Sequence, residues 1–206
     1  DDDREGHMRI VRALAVVLAL LAAPSVLAGC GDDDSGGGGA GVATGSGNPV
    51  DRAFVGEMVP HHESAIEMAA IAQRRASGGF VKQLADDIAR TQQAEIATMR
   101  AADRRIAAGG VRRGSLGVPE HMMGMDGAVA SLMTAQPFDA AFVRMMIPHH
   151  EGALVMAKAE LERGEDPELK QLARDILAAQ ELEIAAMRKH LGEARAEHTD
   201  AAEYAG

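Results

Sequence analysis

Tryptophan is absent from this 206-residue chain, and its aromatic side chains are one tyrosine and four phenylalanines, so no stacking platform for bases or sugars can be assembled. Acidic residues outnumber basic ones by 31 to 21. Phosphate backbones need a basic face, and a nucleic-acid partner is therefore excluded. There is one cysteine, Cys30. Without a second thiol the chain can close no internal disulfide and build no thiolate metal centre, so packing alone must stabilise it. Alternating strand patterns are missing throughout. The unusual abundance is methionine, 12 residues in all.

Much of the chain is written twice. Asp51, Phe54, Met58, Pro60, His61, His62, Glu63 and Met68 recur 88 positions later as Asp139, Phe142, Met146, Pro148, His149, His150, Glu151 and Met156, without a gap. The same offset carries Gln92, Glu95 and Met99 to Gln180, Glu183 and Met187. Repetition this regular means one supersecondary unit used twice and packed on itself.

Ahead of the repeats, residues 8–29 have the layout of a secretion signal: Met8 and two arginines, an apolar run to Leu21, then Leu27, Ala28 and Gly29 before Cys30. The run is too short, and too soon broken by Pro24, for a spanning helix. Small residues before a lone cysteine resemble the bacterial lipobox, in which the cysteine is lipidated and begins the mature chain. Residues 1–7 precede this start and are set aside as a start-site artefact. Residues 30–50 are mostly Gly, Asp, Ser, Ala and Thr, a flexible tether between a membrane anchor at Cys30 and the folded part. The expected location is extracytoplasmic, secreted and lipid-anchored.

The domain spans 51–206. Phe54, Met58, His61, Ala65, Met68 and Ala72 step by threes and fours from a cap at Asp51, marking one apolar helical stripe. Val81, Leu84, Ile88, Gln92, Glu95, Met99 and Ala102 mark a second, after a turn at Ser77, Gly78 and Gly79. The repeats, 51–108 and 139–195, thus each predict an antiparallel hairpin, the second starting from a cap at Asp139 and its last helix running through Leu191 into a frayed tail. A Met-rich link, 118–138, joins them and contains a short helix over 127–136 capped by Asp126. The fold class is all-α, a ferritin-like four-helix bundle made of two repeated helical hairpins. Pro60 and Pro148 predict a kink or restart in each histidine-bearing helix.

The histidine pairs fall on the buried stripe, and Met58 lies one turn before His61 and His62, as Met146 does before His149 and His150. Gln92 and Glu95, with Gln180 and Glu183, interrupt the partner stripes, which is costly unless each finds a hydrogen-bond partner or a cation. The facing imidazoles are the natural partners, which makes these four residues candidates for orienting a ligand from behind. A buried His–Glu pair can also be purely structural, and methionine at helical spacing is often adaptable core filler. The recurrence of the whole set, and a third cluster of His121, Met122, Met123 and Met125, weigh against that bland account. For the third cluster alone, a flexible apolar loop is as good a reading as a metal site. Thioether and imidazole together suit Cu(I), and by extension Ag(I), better than Mg or Ca. Di-iron bundles use Glu-x-x-His pairs on matching faces, a spacing not found here.

These residues resemble a known family. The pattern from Phe54 through Met58, Pro60, His61, His62, Glu63 and Met68, its copy, the Gln92–Glu95–Met99 helix and the Met-rich link are similar to domain-of-unknown-function family 305, over residues 51–191. The resemblance implies secreted proteins with a ferritin-like bundle. It also implies, from relatives of the CopM type, binding of copper or silver in metal resistance. The positions matching the motif are Met58, His61, His62, Met68 and Met99, and Met146, His149, His150, Met156 and Met187. Met145, where the first repeat has Glu57, adds a thioether and is a candidate extra ligand, so the two sites could differ in affinity.

The function expected is sequestration or transfer of Cu(I) without catalysis, with the metal ion, the membrane and a copper-delivery protein as partners. An Fe, Mn or Cu oxidase or peroxide-handling enzyme of ferritin type, and a metal-free structural or partner-binding bundle, are the alternatives. Each repeat already carries one Met and two His within about one turn, so separate sites are expected, one per hairpin, rather than one shared across the pseudo-twofold axis.

Overall fold

A computed structural model describes residues 47–125 and 129–203, with side chains described as far as residue 192. Cys30 and Asp126, with the secretion signal and all of the tether before residue 47, lie outside the described residues. Four long helices make up the fold: α1 (Pro49–Arg75), α2 (Gly79–Ala108), α3 (Phe138–Arg163) and α4 (Pro167–Glu203). No strand occurs among the described residues. The all-α four-helix bundle of two repeated hairpins is what the helical stripes specified. The closest packing is α1 on α2 and α3 on α4 within the hairpins, then α1 on α3 between them, while α2 and α4 touch sparsely. The two helices that carry the histidine pairs are thus the central contact of the bundle.

Several boundaries depart from expectation. Asn48, not Asp51, caps α1: its side chain accepts from the Val50 and Asp51 N–H groups, and Pro49 follows at the first position, where its missing N–H costs nothing. Asp51 completes this capping box from inside the first turn by accepting from the Asn48 N–H. Asp139 likewise lies inside α3, which begins at Phe138 after Pro137. Their shared position serves another purpose. Asp51 accepts from the backbone N–H groups of Glu165 and Asp166 in the α3–α4 turn, at 3.0 and 2.8 Å. Asp139 accepts from those of Ser77 and Gly78 in the α1–α2 turn, at 3.1 and 2.7 Å. Each repeated aspartate therefore ties down the turn of the opposite hairpin, and the pseudo-twofold reproduces the contact.

Neither proline interrupts its helix. Pro60 and Pro148 are exposed within continuous α1 and α3, so the carbonyl each ring leaves without its usual donor belongs to the outer side of the bundle. The helix expected over 127–136 is instead a five-residue 3₁₀ segment, Val129–Met133, preceded by a 3₁₀ turn at Glu120–Met122. Only Leu132 of that segment is buried, too little apolar surface to support a longer helix. Arg75 holds it in place by donating to the Leu132 and Ala135 carbonyls while lying 4.7 Å over the Phe138 ring. α4 continues past Leu191 to Glu203, through Ala, Glu and Arg residues that favour helix.

Buried apolar residues form two clusters. One joins the second half of α1 and the start of α2 to the start of α3 and the end of the α4 core; the other holds the complementary halves. Between them, at mid-height, every helix carries polar residues: His61 and His62, Gln92 and Glu95, His149 and His150, Gln180 and Glu183. All are buried except Glu95, which is partly so.

Candidate metal centre

At this polar layer the antiparallel crossing of α1 and α3 brings the two repeats face to face. The imidazoles of His61 and His149 lie against each other, ring centroids 3.7 Å apart and planes tilted by 35°. The neighbours in sequence diverge: His62 is 6.2 Å from His61 and His150 is 6.4 Å from His149, centroid to centroid. This divergence follows from helical geometry, in which adjacent residues point about 100° apart. His61 and His149 therefore face the opposite repeat, and His62 and His150 face the partner helix of their own hairpin.

There each meets its glutamate. His62 Nε2 lies 2.7 Å from Glu95 Oε2, and His150 Nε2 lies 2.7 Å from Glu183 Oε2. Glu95 and Glu183 are thus each within hydrogen-bond distance of the imidazole that faces them across their own hairpin. The outward glutamates of the motif do something else, since Glu63 pairs with Arg100 and Glu151 with Arg188 on the exposed surface. Exposed pairs of this kind contribute little to stability.

The layer is rich in polar atoms that find no well-formed hydrogen bond among the described residues. These are both ring nitrogens of His61 and His149, Nδ1 of His62 and His150, and Oε1 of Gln92 and Gln180, all buried. Buried polar atoms are satisfied in the large majority of native structures, and leaving one unpaired costs about 1–3 kcal/mol.

Burial pushes the His61 imidazole well below the usual histidine range, and the neighbouring His149, His62 and His150 push in the same direction. His149 is lowered to about 3, again by burial first and then by His150 and His62. Both rings are consequently neutral at physiological pH, the form with a free lone pair that metals bind.

The methionines are distributed differently from the sequence expectation. Met58 and Met99 pack in one apolar cluster together with Met156 of the other repeat, and Met146 and Met187 pack in the other together with Met68. Six buried thioethers thus flank the layer, three on each side, each set mixing both repeats. Met58 and Met146 border the histidines, whereas Met68 and Met156 lie two helical turns from the pair in their own helix. The α1–α3 crossing thus interleaves the methionines of the two repeats. Among the described residues no three His, Cys, Asp or Glu side chains are placed to share a metal ion. An ion at this level would draw on imidazole and thioether together, with the side chains adjusting around it.

The link cluster is divided. His121 and Met122 are exposed and line a groove on α3 that Met145 also lines. Met123 turns inward against the cluster holding Met58, and Met125 is exposed outside the groove. Sequence reasoning missed Glu160, fully buried near Asp51, where the first repeat has Ala72. Burial, then the Asp51 carboxylate, raises its pKa to about 9. Nothing in its local spacing signals this.

An all-α bundle with a buried histidine layer between methionine clusters defines the class of protein. The chain belongs to the family Domain of unknown function (DUF305), whose pattern it matches over residues 51–191. Among solved structures it is similar to CopM in its Cu(I)-bound form, at 34% identity and a TM-score of 0.59, covering 69% of this chain and 96% of that one. CopM has also been solved with Cu(II) and with Ag bound. A DUF305 protein of Streptomyces coelicolor is 30% identical, with a TM-score of 0.61 and coverage of 70% of this chain and 91% of that one. An uncharacterized protein of Acanthamoeba polyphaga mimivirus, L153, is 44% identical over 55 residues, 27% of this chain. The match spans about a third, 36%, of that viral protein.

Proposed function

We propose that this protein is an extracytoplasmic metal-binding protein that takes Cu(I) or Ag(I) as cargo and sequesters or transfers it in metal resistance, without catalysis. The observation that carries the reading is the buried layer itself: His61 and His149 in contact, both held neutral, their ring nitrogens unpaired, with thioethers on either side. Neutral nitrogen and sulfur donors in an apolar setting suit a soft monovalent ion far better than a hard divalent one. Glu95 and Glu183 would fix the orientation of His62 and His150, as carboxylates commonly do behind metal-binding imidazoles. The likeness to CopM, which was solved with Cu(I), Cu(II) and Ag, supports the same class of cargo.

We further infer that Cys30 is lipidated and that the bundle is tethered to a membrane by the Gly-rich segment, with a copper-delivery protein as partner. Among the described residues no helix is long and apolar enough to cross a membrane, so any attachment would come from outside the bundle. Anaerobic titration of the purified chain with Cu(I) tests the cargo. Stoichiometric binding without turnover is the expected result. Two Fe or Mn per chain with oxidase or peroxide turnover would replace this reading with that of an enzyme, and no bound metal would leave a structural bundle.

A further inference from the structure

The two repeats are not equivalent on their outer faces. At α1 the stretch just before the Met-rich link, residues 109–117, fills the surface: a Cβ on Gly56 would lie 2.5 Å from the Arg113 guanidinium, and Glu57 faces Arg113 and the Leu116 backbone. The corresponding positions of α3 are Arg144 and Met145, and there the surface stays open as a groove of about 550 Å³. His121 and Met122 line it from the Met-rich link, and Met145, Pro148, Glu151 and Gly152 line it from α3.

The link is seated on α3 by two glycines. Gly124 has φ +70°, and a Cβ there would lie 2.2 Å from the Pro148 carbonyl oxygen. A Cβ on Gly152 would lie 2.0 Å from the Met123 carbonyl oxygen. Only glycine at both places allows backbone to cross helix this closely. The counterpart of Gly152 in the first repeat is Ser64. His121 and Met122 are therefore held against the helix by their own backbone.

We propose that this groove is an exposed soft-metal site, in which the His121 imidazole and the Met122 and Met145 thioethers hold one Cu(I) or Ag(I), distinct from the buried histidine layer. The donor set is soft and carries no negative charge. Glu151 is paired with Arg188, and Arg144 also lines the groove, so no net negative charge draws in a hard divalent cation and ligand softness decides what binds. Met122 is 45% exposed, so its thioether is accessible to an ion arriving from solution. The groove floor, from Pro148 to Gly152, is the same helical turn that carries His149 and His150, so an ion captured here stands at the outer wall of the buried layer.

This inference rests on the soft-metal reading of the protein but not on the buried ligands. Titrating the full chain, labelled with ¹³C at the methionine methyls, with Ag(I) by NMR tests it. The Met122 and Met145 methyl signals should shift, and Met122→Leu with Met145→Leu should remove one Ag(I) equivalent while the Met58 and Met146 shifts persist. Leucine is close in volume to methionine, so the fold is retained. Unmoved Met122 and Met145 signals alongside shifting Met58 and Met146, or an unchanged stoichiometry in the double variant, overturn the groove site alone. If no methionine methyl moves in the unaltered chain, the metal reading of the whole protein falls with it.

Discussion

His61 and His149, 88 positions apart in sequence, lie with ring centroids 3.7 Å apart in the centre of the bundle, and among the described residues no well-formed hydrogen bond reaches either ring. The contact joins the two repeats into one layer, so a change in one histidine reaches both. Replacing His61 by Leu removes two unpaired buried nitrogens at similar volume. Metal-free stability should hold or rise by about 1 kcal/mol, as expected when an unsatisfied polar group is replaced by an apolar one. The rise in melting temperature produced by Ag(I) in the unaltered chain should fall by more than half. Thermal melts with and without Ag(I) check both parts, and a variant that keeps the full Ag(I) effect would remove His61 from the site.

Glu95 holds the His62 Nε2 at 2.7 Å. In Glu95→Leu the buried imidazole loses the one hydrogen-bond partner it has among the described residues, and the metal-free protein should be destabilised by about 1–3 kcal/mol. Glu95→Gln, which still offers an oxygen or an N–H to the ring, should recover most of that loss. Denaturant unfolding of the pair separates hydrogen bonding from packing, because both replacements are near-neutral in size.

The crossed aspartates should be unequal. Asp51 is fully buried and accepts from the Glu165 and Asp166 N–H groups, whereas Asp139 is half-buried and bonds the Ser77 hydroxyl as well as the Ser77 and Gly78 N–H groups. Water can replace part of what Asp139 supplies. Asp51→Ala should therefore cost roughly 2–4 kcal/mol and Asp139→Ala about 1–2 kcal/mol, in line with losing charge-assisted hydrogen bonds in buried and exposed settings. Equal losses in urea unfolding would show that the turn contacts do not carry the difference.

Glu160 predicts an alkaline weakness. Its carboxyl is neutral in the folded chain up to about pH 9, while in the unfolded chain it ionises near the ordinary glutamate value of 4.5. Between those values the folded state binds the extra proton, so stability falls as pH rises from about 4.5 to about 9 and then levels off. Glu160→Gln keeps a neutral donor beside Asp51 and removes this titration. The variant should match the unaltered protein near pH 4 and exceed it by about 2–4 kcal/mol at pH 8, a difference read from unfolding midpoints across pH.

Helix content, hairpin pairing and the buried stripes were legible in the sequence because they depend on local spacing. Apolar residues at steps of three and four from Phe54 to Ala72 define a face whatever that face meets. The 88-position offset likewise announces two copies of one unit, and Gln92, Glu95, Gln180 and Glu183 stand out because polar residues on apolar stripes need partners. His62 with Glu95, and His150 with Glu183, could be anticipated as facing pairs within one hairpin.

Contacts between the repeats have no such signature. Nothing in the spacing of His61 and His149 says that the α1–α3 crossing makes them touch, or that Met68 joins Met146 and Met187 while Met156 joins Met58 and Met99. Asp51 and Asp139 look like caps of their own helices from the sequence, because a cap is a local pattern. Their bonds to the opposite turns exist only once the hairpins dock. The burial that holds His149 and Glu160 neutral is likewise a property of the assembled bundle, since desolvation is summed over neighbours from every helix and not over neighbours in the chain.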